Sequence, residues 1–154
     1  MNEPAARGML DTSTVILLGR IEDPASLPDE AVVSAITLAE LSVGPHVAGS
    51  ADERAARQAH LQQAEADFEP VAFDSEAARV FGTVAASLRA SGRKTTARAY
   101  DALIAASAIA RGLPLFTCNP TDFEGIPGLD VRPTRIPIAP EPKQRHTAAG
   151  RVHD

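Results

Sequence analysis

The sequence predicts one α/β domain, three layers deep, with helices on both faces of a central, mostly parallel sheet. Three observations carry this expectation. Short apolar or β-branched runs, of the kind that make buried strands, alternate with longer stretches bearing helix start and stop signals. The chain has 154 residues, the length of a single domain that buries roughly 68–70% of its unfolded surface. Apolar content is 44% but aromatic content only 4%, so the core must be built from closely packed Ala, Leu, Val and Ile.

Taken in order, Met1–Gly8 reads as a loose leader, and Met9-Leu10 as a short strand running into Asp11. Thr12-Ser13-Thr14 offers hydroxyl caps for a helix through Val15–Gly19. The acidic, proline-containing stretch Glu22–Glu30 is a loop. Ala31–Ser34 is a strand, followed by a helix over Ile36–Val43 that Gly44-Pro45 breaks. Ser50-Ala51-Asp52-Glu53 is a capping box opening a polar helix that runs to Phe68. Pro70–Phe73 is a short strand. Asp74 caps a helix over Ser75–Ala90, closed by Ser91-Gly92. A basic turn, Arg93–Thr96, leads into a helix over Ala97–Arg111 that stops at Gly112. Leu113–Thr117 is a strand, Asn119–Asp122 a turn, Phe123 the start of a helical turn, and Leu129–Arg132 the last strand. Prolines at 133, 137, 140 and 142 mark a polar ending, so the folded domain is expected over 1–137 and a disordered tail over 138–154.

The formal net charge of −5 and a pI near 5.3 argue against a large basic nucleic-acid surface, but leave room for a small basic patch beside an acidic site. The single cysteine, Cys118, excludes an internal disulfide. No run of about 20 apolar residues is present, so no membrane span is expected. The N-terminus lacks the charged-then-apolar pattern of a signal peptide, which makes the cytoplasm the expected location.

Four acids stand in apolar or turn sequence: Asp11, Glu40, Asp101 and Asp122. Stripping a lone carboxylate of water costs on the order of several kcal/mol unless it is paired or metal-bound. In an open parallel sheet, ligands bind at the carboxyl ends of strands, where Asp11 and the loop carrying Asp122 both fall. Asp101 shares a helix face with Ile104, Ala105 and Ala108, and Glu40 with Ile36, Val43 and Val47, which turns both toward the core side. Gathered carboxylates raise one another's pKa, a conflict that a divalent cation removes. Oxygen-only ligands favour Mg²⁺ or Mn²⁺ over zinc, and none of the four scattered histidines is placed as a ligand. Each acid also has a purely structural role open to it. Glu40 completes a Thr-x-x-Glu box with Thr37, Asp101 sits in the first turn of its helix, Asp122 suits a turn, and Asp11 suits an N-cap.

These residues resemble the PIN-domain ribonucleases, and most closely the VapC-like toxins of bacterial toxin–antitoxin pairs. The matching segments are Leu10-Asp11-Thr12-Ser13, Val33 to Leu41 around Glu40, Asp101 to Ala106, and Gly112 to Asn119 running on to Asp122-Phe123. The resemblance covers about Met9 to Arg132. It implies that Asp11, Glu40, Asp101 and Asp122 are the catalytic and metal-binding acids, with Ser13, Thr117 and Asn119 as supporting polar residues. Position 118 departs from the pattern, with cysteine where relatives often carry a basic residue, but no acid is lost.

The resemblance further implies Mg²⁺- or Mn²⁺-dependent hydrolysis of RNA phosphodiester bonds, a cognate VapB-like antitoxin and a homodimer. Phosphate binding needs positive charge, and Arg89, Arg93, Lys94 and Arg98 cluster just before Asp101, where they could steer RNA or simply form a solvated helix end. The helices at 50–68 and 74–90 are expected to wall the antitoxin groove. A haloacid-dehalogenase-type phosphatase is disfavoured because Ser13 stands where its second aspartate is needed. A receiver domain is disfavoured for want of adjacent early acids and a late lysine. The remaining alternative is a catalytically silent PIN-like module that binds RNA or protein.

Overall fold

Five short segments become the strands of the computed structural model, which describes residues 6–93 and 98–135. These are β1 (Arg7–Leu10), β2 (Glu30–Ser34), β3 (Glu69–Val71), β4 (Leu115–Thr117) and β5 (Val131–Pro133). Every pairing is parallel and the order is β3-β2-β1-β4-β5. The helices are α1 (Thr12–Ile16), α2 (Ala35–Val43), α3 (Ala51–Asp67), α4 (Ser75–Ala90) and α5 (Ala99–Arg111).

Successive strand residues point to opposite faces, and here both faces are apolar, as a sheet covered on both sides requires. Met9, Val32 and Leu115 face one side and pack with Val84 and Leu88 of α4 and with Ala102, Ile104, Ala105 and Ala108 of α5. Leu10, Val33 and Phe116 face the other, against Val15, Leu18, Leu38 and Phe68. Full burial of a side chain the size of Val32 or Leu115 contributes about 1.5–3 kcal/mol. The alanine-rich α5 lets this helix approach the sheet closely, which is how a chain with few aromatics closes its core.

The structure moves several boundaries. Arg7 and Gly8 belong to β1 rather than to a leader, because they pair in register with Glu30 and Ala31. Gly8 is needed there, since a Cβ would overlap the Phe116 ring. The first helix starts at Thr12, earlier than the hydroxyl-cap reading placed it, because the Asp11 carboxylate accepts from the Thr14 N–H at 2.9 Å and is the cap. α2 does end at Val43, as the Gly44-Pro45 break predicts, and the chain goes on as a 3₁₀ turn over Gly44–Val47, with Pro45 in a first turn that needs no N–H from it. β4 begins at Leu115, since the Leu113 N–H instead bonds the Ala108 carbonyl to close α5. In that closure Gly112 adopts φ +64°, the left-handed turn expected of a helix-ending glycine. The capping box at Ser50 forms, with Glu53 N–H donating to Ser50 Oγ at 3.1 Å. Lys94 and the tail over 138–154 lie outside the described residues.

Candidate active site

In the strand order, β2 and β3 extend to one side of β1 and β4 and β5 to the other. The crevice at the carboxyl ends of β1 and β4 is therefore the switch point where such sheets bind ligands. Asp11 immediately follows β1, and Thr117 is the last residue of β4. The two strands are tied there by the Asp11 N–H donating to the Phe116 carbonyl at 3.1 Å.

Asp11 is only 3% exposed. Donors replace its lost water: the Thr14 N–H at 2.9 Å, Ser13 Oγ at 3.0 Å from either oxygen, and Thr117 Oγ1 at 2.6 Å. Thr117 Oγ1 itself accepts from the Asn119 N–H at 3.0 Å, which directs its proton to Asp11. Ser13 and Thr117 thus lie where the sequence put them. Asn119 joins through its backbone, and its side chain is exposed.

Glu40 sits on α2, whose cap is Ser34, its Oγ accepting from the Ile36 N–H at 3.1 Å. The Thr37–Glu40 capping box therefore does not form. Thr37 is buried and instead accepts from Thr12 Oγ1 at 3.2 Å. This leaves Glu40 half-buried, with a buried Oε1 that has no hydrogen-bond partner among the described residues. An unpartnered buried oxygen is costly, and a missing cation or donor is the usual explanation.

Asp101 lies in the first turn of α5, as its structural reading requires. Its carboxyl is pushed up to about 6, first by loss of hydration, then by the negative charges of Asp122, Glu40 and Asp11, with Arg98 opposing. The charges of the other three acids thus all reach Asp101. Asp122, on the 3₁₀ turn Pro120–Phe123, accepts from Arg98 Nη1 at 2.7 Å. This half-exposed pair raises the Arg98 pKa, chiefly through the hydrogen bond and charge of Asp122 and in part through the charge of Asp101. Arg89 is exposed near the end of α4, and Arg93 is half-buried just beyond it. Neither is bonded to an acid of the site among the described residues.

The donor set fits a hard divalent cation in kind: four carboxylates, no thiolate and no imidazole. The carboxylates are not drawn to one point, however. Among the described residues, no three His, Cys, Asp or Glu side chains stand close enough together to hold an ion. The hydrogen bonds give the reason. Asp11 is turned to its own donors and Asp122 to Arg98. Sequence reasoning missed this pairing and the buried hydroxyl pairs Thr12–Thr37 and Ser34–Ser107, the latter at 3.2 Å. The signal that could have found the hydroxyls was their place within apolar runs.

Between α1 and α3 lies a depression of about 350 Å³, its lining apolar at Val15, Ile16, Leu18 and Phe68 and polar at Gln63 and Asp67. It adjoins a smaller one of about 220 Å³ that reaches Thr12 and Glu40. The helix at 74–90 lines neither depression, because α4 packs on α5 over the other face of the sheet.

Residues 9–129 match the model of the PIN domain. The chain is 40% identical to ribonuclease VapC5 of Mycobacterium tuberculosis over 130 residues, 83% of this chain and 93% of that protein. It is 32% identical to ribonuclease VapC of Rickettsia bellii over 80% of this chain and 92% of that one. Among solved structures, it resembles a chain of the VapBC-5 toxin–antitoxin system from Mycobacterium tuberculosis, with a TM-score of 0.70 and 39% identity, covering 85% of this chain and 99% of that one. The chain is a PIN-domain protein and belongs with the VapC ribonucleases. Among its described residues, no helix is long and apolar enough to cross a membrane.

Proposed function

We propose that this chain is the toxin of a VapBC-type pair, a Mg²⁺- or Mn²⁺-dependent endoribonuclease. On this reading it acts in the cytoplasm as a homodimer, and a VapB-like antitoxin holds it in check. The observation that carries the reading is what surrounds the switch point: a buried Asp11, a Glu40 oxygen without a partner among the described residues, and an Asp101 raised by burial and by three like charges. The 40% identity to a VapC ribonuclease supports the substrate class.

When bound, a divalent cation at these acids supplies charge for the phosphoryl oxygens and lowers the pKa of a water. Asp11, Asp101 and Asp122 are the side chains to hold it. Thr117, Ser13 and the Thr14 N–H keep Asp11 in place, so the first ligand is set before RNA arrives. Glu40 shares in holding the cation or orients the attacking water with its open Oε1. As water oxygen bonds to phosphorus, the bond to the leaving ribose oxygen breaks. The arginines near the mouth, Arg98 foremost, contact the RNA backbone.

The groove between α1 and α3 suits a segment of the antitoxin. It offers apolar side chains edged by His60, Gln63 and Asp67, and adjoins the depression that reaches Glu40. The test of the reading is cleavage of total bacterial RNA by purified, antitoxin-free protein in Mg²⁺, in Mn²⁺ and in chelator, beside Asp11→Asn. Metal-dependent cuts absent from the variant are expected. A folded protein that cuts no RNA under any condition would leave the silent binding module as the better account.

A further inference from the structure

We infer that Arg98 is an internal counter-ion for the acidic site, holding Asp122 and giving way to a cation there, then passing to an RNA phosphate. This rests on the metal-site reading above. Among the described residues, Arg98 is the one cation bonded to any of the four acids. Its place is not explained by the helix it opens. It occupies the cap position of α5, makes no side-chain cap bond there, and puts positive charge at the positive end of a helix dipole. What keeps it there is Asp122, with a 2.7 Å bond.

The pair is also built to exchange. Both side chains are 36% exposed, so neither is locked in by burial, and a half-exposed ion pair is weak enough to change partners. Arg98 bonds Asp122 through Oδ1, so a divalent cation that takes that oxygen displaces the guanidinium. Loading of the site therefore frees Arg98. Its planar fork matches phosphate in two-point contact, and it stands at the mouth of the site a phosphodiester must approach. Arg98 would then lower cation affinity in the absence of RNA and raise RNA affinity once the site is filled.

The test is calorimetric titration of Mn²⁺ alone into the full chain as wild type, Arg98→Met, Arg98→Gln, Arg98→Lys and Asp11→Asn, with thermal unfolding to confirm that each is folded. Arg98→Met and Arg98→Gln should bind Mn²⁺ roughly two- to fivefold more tightly, the size a half-exposed pair supports, while Arg98→Lys stays near wild type. In Mn²⁺, anisotropy with a 2′-O-methyl RNA that resists cleavage should show weaker binding by Arg98→Met and a salt slope reduced by about one. Mn²⁺ affinity equal or lower in both neutral variants, with Asp11→Asn still impaired, would overturn the counter-ion role and leave the metal site standing. Unchanged RNA affinity and salt slope would overturn the transfer to phosphate. No Mn²⁺ binding by the wild type would remove the metal-site reading and this inference together.

Discussion

Thr117 Oγ1 donates to Asp11 Oδ2 at 2.6 Å, joining the ends of β1 and β4 across 106 residues of sequence. The bond sits at the point where the strand order reverses, so one hydroxyl both stitches the sheet and aims the most buried acid. Thr117→Val keeps the shape and removes the donor. It should cost about 1–3 kcal/mol of stability, because a buried carboxylate oxygen loses its partner. Thr117→Ser should recover most of that loss. Urea unfolding of the three proteins measures it.

Gly8 lies against the ring of Phe116. Gly8→Ala should destabilise the domain by about 1–3 kcal/mol through overpacking, with the ring or β1 forced to shift. Adding Phe116→Leu to that variant should recover part of the loss, since the removed ring edge makes room. Thermal unfolding of the single and double variants checks it.

Asp101 titrates at about 6 in the folded protein against 3.8 unperturbed. Between those values the folded state keeps a proton that the unfolded chain has released. The group therefore costs the fold nothing below about 3.8, and its cost grows until pH passes 6. In chelator, Asp101→Asn should unfold at a higher temperature than wild type at pH 7, and the gap should close toward pH 4. A gap that is constant with pH would contradict this assignment.

A cation that binds only the folded state stabilises it by mass action, about 2.7 kcal/mol at 100 times its Kd. For a chain of this size that raises Tm by about 5–10 °C. Mn²⁺ should produce such a rise, chelator should reverse it, and Asp11→Asn should show none of it.

Much of this was legible in the sequence because the signals were local. Asp74 caps α4 by accepting from the Ala77 N–H at 3.0 Å, and Gly112 ends α5, both as the residues announce. What was not legible depended on partners distant in sequence. Thr12, Ser13 and Thr14 looked like caps for their own helix. Asp11 takes that role, as its own N-cap reading allowed, which leaves Thr12 to meet Thr37 and Thr14 Oγ1 to donate to the Phe116 carbonyl at 3.3 Å. The acids followed from their apolar settings and from the resemblance. The bond from Arg98 to Asp122 did not, because nothing local in either segment encodes where a flexible guanidinium comes to rest. Strand ends shifted wherever a helix closure claimed the N–H, as at Leu113.

The most direct test of the four-acid site is a crystal of the antitoxin-free protein soaked in Mn²⁺ near pH 7.5 and measured for anomalous scattering. The account predicts a peak ligated by Asp11 and Asp101, with Asp122 turned to it and released from Arg98. Density for Mn²⁺ only elsewhere on the surface, with the Arg98–Asp122 pair intact, would contradict it.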